Sequence, residues 1–262
     1  MNPFTKPPVA ELIGLPYSPW TEKARWALEV RGVPFVFRHY QPILGEPELR
    51  LRLRRWTGNV SVPVLVAPDG QVHGDSEAIA RWADTQGGPP TLFPAMHEAA
   101  IQEAIALSER ALAAGRTLSL AATLANDDAL REMVPKALRK PLGPLAVGIG
   151  RVGVKRTLRK YGATGVDAGA HAAELTASLD ALRATIAHAP AGPSPKTLCG
   201  RFTFADIAAA QVLGFVSPPL FGIRIGRASR ASFTRAELLV RYADLITWRD
   251  ALYAAYRPRT DA

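Results

Sequence analysis

A single cysteine, Cys199, stands in a chain of 262 residues. That scarcity excludes an intramolecular disulfide framework, a multi-cysteine zinc site and a Cys-x-x-Cys redox pair, and it suits a reducing compartment. Long apolar runs are missing too. The best candidate, residues 207–223, holds Gln211, Ser217 and the Pro218-Pro219 pair, and falls short of the roughly 20 apolar residues a spanning helix needs. The first eight residues have one lysine, three prolines and no apolar core, so they do not read as a secretory signal and a cytoplasmic protein is expected. The five histidines, His39, His73, His97, His171 and His188, show neither an HExxH motif nor a paired ligand spacing. No metal site is expected.

Charge, by contrast, is present and unevenly placed. The net charge is +9, yet residues 1–88 carry 10 basic and 9 acidic side chains, whereas residues 133–166 hold eight basic residues and no acidic one. These eight are Lys136, Arg139, Lys140, Arg151, Lys155, Arg156, Arg159 and Lys160. A local block of this kind points to attraction towards an anion or an anionic surface at that place. Nucleic acid is not the expected partner, because the tryptophans are not interleaved with the basic residues as a stacking surface would need.

Two grammars divide the chain. Residues 9–84 alternate strand-like and helical runs, and from residue 95 alanine, leucine and arginine recur at helical spacing. Between them Gln86-Gly87-Gly88-Pro89-Pro90 reads as a breaker cluster, giving an expected first domain at 1–85, a linker at 86–94 and an all-helical domain at 95–262. Within the first domain the pattern predicts a strand at 9–15, a helix at 19–31 stopped by Gly32 and Pro34, and a strand at 35–40. An arginine-rich connection at 42–56 follows, then strands at 62–66 and 71–73 around a Pro-Asp-Gly turn, and a helix at 76–84. The crossover rule makes the first two strands parallel, and the turn makes the last two an antiparallel hairpin.

Three places can carry chemistry. Ser18 sits at an N-cap position with Pro19 at the first helical position, so its hydroxyl lies at the positive end of a helix dipole, where a thiolate would be stabilised. Val62-Pro63 opens a strand with a residue that cannot donate to a ladder, and a cis bond there would turn the Val62 amide and carbonyl towards a cleft. Asp75-Ser76 begins the next helix, one or the other as its cap, and offers amides and a hydroxyl to a carboxylate.

The run Pro16-Tyr17-Ser18-Pro19-Trp20-Thr21-Glu22-Lys23-Ala24-Arg25, then Ser61-Val62-Pro63-Val64-Leu65, then Gly70 and Gly74-Asp75-Ser76-Glu77-Ala78-Ile79, resembles the amino-terminal domain of the cytosolic glutathione transferases. Phe202-Thr203-Phe204-Ala205-Asp206-Ile207 is similar to the family's capping box in the helical domain. The resemblance covers nearly the whole chain. It implies an α/β thioredoxin-like domain followed by an all-α domain, usually as a homodimer, that adds the glutathione thiolate to a small electrophile.

Carried over by position, the resemblance makes Ser18 the stabiliser of the thiolate, with Tyr17 as the second candidate hydroxyl. Val62 would pair with the glutathione backbone beside Ser61, Pro63 would be the cis proline, and Asp75 with Ser76 would hold the γ-glutamyl end. Of the histidines only His73 falls near the expected cleft, where two readings stand: contact with the glycine carboxylate, or a structural strand-end residue. Glutathione is the expected co-substrate, without a metal. Ser18-Pro19-Trp20-Thr21 stands where redox-active relatives have two cysteines, so thiol exchange is not expected.

The alternative from another class is a non-catalytic relative that uses its 133–166 segment as a binding or membrane-surface module on anionic lipid. Within that segment Gly148-Ile149-Gly150-Arg151-Val152-Gly153 spells GxGxxG, but no βαβ unit surrounds it. It reads as a glycine-rich break between basic helices, with Pro141, Gly143 and Pro144 among its interruptions.

Overall fold

The computed structural model describes residues 8–42, 45–163, 167–192 and 194–258. Strand β1 (Ala10–Gly14) leads into helix α1 (Pro19–Val30), β2 (Phe35–His39) and α2 (Glu46–Leu53), then β3 (Val64–Val66), β4 (Val72–His73) and α3 (Ser76–Gln86). The sheet order is β2-β1-β3-β4. β1 runs parallel to β2 with Leu12 opposite Phe37, and antiparallel to β3 with Leu12 opposite Leu65; β3 and β4 form an antiparallel hairpin. Both expected pairings are present.

Apolar side chains fasten this sheet to its helices. Leu12, Leu28, Leu65 and Ile79 are fully buried between the strands, α1 and α3, each contributing about 1.5–3 kcal/mol by leaving water. Helix α1 starts on Ser18 and Pro19 and stops at Gly32, whose φ of +64° is open to glycine at little cost.

The rest of the described chain is helical: α4 (Glu98–Leu124), α5 (Asp127–Glu132), α6 (Lys136–Leu142), α7 (Leu145–Lys160), α8 (Ala168–His188), α9 (Phe204–Gln211), α10 (Arg227–Phe233), α11 (Ala236–Arg241) and α12 (Ala243–Tyr256). An α/β unit followed by an all-α region is therefore the architecture. Helix α9 is buried along its whole length. It packs Phe204, Ile207 and Ala208 against Trp26 of α1 and Leu252 and Tyr253 of α12, while α4 and α8 close a second core with Ala111, Leu175, Leu179 and Leu182. Asp206 anchors the start of α9 by accepting from the backbone N–H of Thr203 and of Leu198, each at 2.8 Å, as its spacing from Thr203 predicts.

The 86–94 stretch is pinned rather than loose. Asp84 accepts from Leu92 N at 2.8 Å and from the Thr91 hydroxyl, Leu92 O accepts from Phe204 N at 3.0 Å, and Arg31 donates to the carbonyls of Gly88 and Pro90.

Two expected interruptions fail. Pro141 lies inside α6, in its last turn, where the helix is ending at Gly143 in any case. The 148–153 glycines do not break a helix; α7 runs straight through them from residue 145 to 160. The reason is close packing. A Cβ on Gly150 would sit 2.1 Å from the Leu130 carbonyl oxygen, so the bare face lets α7 press onto α5. The real interruption lies earlier, at Gly143 with its φ of +52°. Residues 164–166 of the basic stretch lie outside the described residues. Among the described residues no helix is long and apolar enough to cross a membrane.

Candidate functional site

A cleft of about 900 Å³ lies between the α/β unit and the helical region. Ser18, Tyr17, Ser61, Val62, Pro63, Asp75 and Ser76 all line it. His73 does not: its ring packs beside Trp82 at 5.6 Å, and burial lowers its pKa.

Gly14 ends β1, where a Cβ would meet the Thr21 side chain at 2.5 Å, and so allows Thr21 to fold back and accept from Leu15 N at 3.2 Å. That turn delivers Ser18 to the N-terminus of α1. The Ser18 oxygen accepts from Thr21 N at 3.5 Å in an extended N-cap conformation, which leaves its hydroxyl proton to donate elsewhere. Tyr17 packs edge-on against Phe233, centroids 6.2 Å apart, and burial pushes its phenol up to about 12. It stays protonated through neutral pH, so that towards a thiolate it acts as a neutral donor.

Across the cleft floor the Val62–Pro63 peptide is cis, and Val62 makes no backbone hydrogen bond among the described residues. An unpaired main-chain donor and acceptor beside a strand is a ready partner for another extended backbone. The cap left open between Asp75 and Ser76 is Asp75, whose carboxylate accepts from Ala78 N at 2.8 Å, while Ser76 is the buried first residue of α3.

Sequence reasoning missed a second layer. Lys23, in the middle of α1 and 1 % exposed, donates to Glu109 at 2.6 Å and to Ser108 at 3.4 Å, both on α4. Burial lowers its pKa, and Glu109 most strongly opposes that, with smaller help from Asp75 and Glu77. Trp20 Nε1 also donates to Glu109, at 2.7 Å. A lysine inside a helical run carries no periodic signal of its own; only the α1–α4 contact shows its role. Arg116 of α4, likewise unflagged, lies over the rings of Trp20 and Tyr161 at 5.0 and 3.6 Å from their centroids.

The basic stretch is partly spent inside the molecule. Arg139 donates to the carbonyls of Glu132 and Val134, Arg151 to that of Leu124, Arg156 to Glu46 at 2.9 Å, and Lys160 to the carbonyl of Val60. Helix α7 is thereby tied to the α/β unit and forms the outer wall of the cleft. Lys136, Lys140, Lys155 and Arg159 remain exposed. Among the described residues no group of three or more His, Cys, Asp or Glu side chains is placed to hold a metal. Cys199 is buried, and desolvation raises its thiol pKa.

Comparison with known proteins matches residues 17–86 to the sequence profile of the glutathione S-transferase N-terminal domain. No curated protein sequence matches the chain. Among solved structures it is similar to a Ceriporiopsis subvermispora glutathione S-transferase in complex with glutathione, with 18% identity, a TM-score of 0.61, and 97% of this chain and all of the other covered. A delta-class glutathione transferase of Nilaparvata lugens gives 16% identity and a TM-score of 0.55 over 95% of this chain and 90% of the other. A Methylobacillus flagellatus glutathione S-transferase with glutathione bound gives 16%, 0.51, 93% and 94%.

Proposed function

We propose, for a chain that has the glutathione S-transferase fold and carries that family's N-terminal domain at residues 17–86, that it binds glutathione and transfers its thiolate to a small electrophile. The observation that carries this reading is the convergence in one cleft of three separate features. These are a hydroxyl at the α1 N-terminus, an unpaired main-chain pair at Val62, and the amide-rich α3 N-terminus at Asp75–Ser76.

On this reading Val62 pairs with the tripeptide backbone, the Ser76 hydroxyl and the α3 amides take the γ-glutamyl carboxylate, and Asp75 attracts the ammonium. The Ser18 hydroxyl and the α1 dipole stabilise the sulfur as its proton leaves to solvent. The sulfur then forms a bond to an electrophilic carbon. In a substitution the leaving group departs with its electron pair; in a conjugate addition the pair moves to the carbonyl and the adjacent carbon takes a proton.

Calorimetric titration with reduced glutathione, repeated on Ser76→Ala, tests binding. Saturable binding that weakens in the variant supports the reading, and no binding at millimolar ligand sinks it. Ultraviolet titration of the bound thiol then tests Ser18. A hydrogen bond to a charged group contributes about 1.5–3 kcal/mol, so Ser18→Ala should raise the bound thiol pKa by roughly 1–2 and Tyr17→Phe should leave it unchanged. The reverse pattern transfers the role to Tyr17. Association as a homodimer is read by analytical ultracentrifugation.

A second reading has one observation in its favour. Leu145 and Val152 of α7 are 69 % and 59 % exposed beside Lys155 and Arg159, an apolar and basic face suited to an anionic lipid surface. Flotation with anionic vesicles at low salt checks it, and absence of binding there removes it.

A further inference from the structure

Arg116 is a charge in the cleft that neither the proposed glutathione site nor an ion pair among the described residues uses. Almost every other shielded arginine in the molecule has an oxygen partner: Arg31 pairs with Asp84, Arg52 with Glu11, Arg249 with Asp250, and Arg257 with Glu22. The half-buried Arg116 has neither an ion pair nor a side-chain hydrogen bond among the described residues. Its guanidinium instead rests on the faces of Trp20 and Tyr161. Two rings shield the cation from water without neutralising it, which leaves its N–H donors available to a planar oxyanion.

The surroundings sharpen the chemistry. Of the cleft's other polar side chains from the helical region, Glu109 is held by Lys23 and Trp20, and the Thr157 hydroxyl donates to Gly153 O at 3.0 Å. Lys160, whose ammonium lies 5.4 Å from the Tyr161 ring, adds a second positive charge at the same corner. The remaining wall is apolar, with Met133, Leu142, Ile149, Val154, Phe215 and Phe233 lining it. Burial lowers the Arg116 pKa, against opposing attraction from Tyr161 and Glu109, as expected for a cation poorly compensated in the free protein.

We propose that the helical half of the cleft takes an acceptor with an apolar body and one carboxylate, and that Arg116 binds that carboxylate. This deepens the glutathione transferase reading and rests on it for the word acceptor. The carboxylate-binding geometry itself is independent of glutathione.

The test uses the whole protein and two probes of equal chain length, dodecanoate and dodecan-1-ol, titrated by calorimetry below their aggregation concentrations. A charge-assisted hydrogen bond makes dodecanoate the tighter ligand by about 10- to 100-fold. Arg116→Gln is expected to abolish that preference while leaving dodecan-1-ol and glutathione affinities within about twofold. Equal affinity of the wild-type protein for the two probes overturns the proposal, and this comparison needs no variant to fold. A preference that survives in a folded Arg116→Gln protein also overturns it, as does loss of glutathione binding in that variant, which would assign Arg116 to the tripeptide. If dodecanoate binds through Arg116 but glutathione does not bind at all, the transferase reading falls and the carboxylate site stands. Tyr161→Leu supplies the second variant: removing one stacking face should weaken dodecanoate more than dodecan-1-ol, and an equal loss for both counts against the site.

Discussion

Lys23 and Glu109 meet at 2.6 Å across the junction between the α/β unit and the helical region, the ammonium 1 % and the carboxylate 47 % exposed. The pair is asymmetric, since the cation cannot reach water while the anion can. Removing the anion strands the cation, and removing the cation merely frees the anion.

Glu109→Gln should therefore cost about 2–3 kcal/mol in urea denaturation, less than the 3–5 typical of a fully buried pair because Glu109 is half exposed. Lys23→Met, which keeps the aliphatic stem and removes the buried charge, should cost clearly less. Equal losses would mean that the junction is held by packing and not by this pair.

Asp206 supplies a pH signature. Burial pushes its carboxyl up to about 6 from an ordinary 3.8, despite the amides of Leu198 and Thr203 that favour the anion. Below about pH 4 both folded and unfolded chains keep the proton, so no penalty exists. Between the two values the unfolded chain ionises first, and stability falls as pH rises. Above pH 6 the full penalty of about 3 kcal/mol is in force. Denaturation of the wild-type protein and Asp206→Asn from pH 4 to 7 should show the wild-type advantage shrinking by about that amount. A pH-independent difference would refute the shift.

Two glycines on α7 should respond in opposite ways. A Cβ on Gly148 meets nothing within 4 Å, so Gly148→Ala should stabilise by about 0.5–1 kcal/mol through helix propensity. Gly150→Ala must push α7 off the Leu130 carbonyl at 2.1 Å and should destabilise by about 1–3 kcal/mol. Thermal unfolding of the two variants side by side measures both signs, and a shared sign would contradict the close approach.

Arg257, near the end of the described chain, bonds Glu22 at 2.7 Å and Glu29, with all three side chains no more than 6 % exposed. Arg257→Met should cost about 2–3 kcal/mol, because it leaves the two buried carboxylates with Arg25 alone, at 3.9 and 3.6 Å, as counter-charge. The double variant Glu29→Gln, Arg257→Met, which leaves Arg25 paired with Glu22, should recover part of that loss. Chemical denaturation decides, and no recovery would point to the arginine's packing on Phe221 instead.

These tests fall on features with different visibility in the sequence. The β-α-β order, the Ser18 cap and the Thr203–Asp206 box were legible because each is written within a few residues, as a period, a turn signal or a cap spacing. The glycines of α7 misled for the same reason: local propensity counts them as breaks, and only the α5 backbone at Leu130, packed against Gly150, explains why that one is needed. Lys23, Glu109 and Arg116 were invisible because their meaning depends on a partner helix some 90 residues away, and no local pattern reports that distance.

The Arg257 contact also bears on how the molecule assembles. Helix α1 presents its N-cap, Ser18, to the cleft, yet Glu22 and Glu29 along it, which share Arg25, gain their second counter-charge only when α12 has docked. An isolated amino-terminal half would hold Glu22 and Glu29 with Arg25 alone to meet both of them. The two halves should consequently unfold in one transition rather than two, and helix α1 reaches its final setting only as the residue after α12 closes over it.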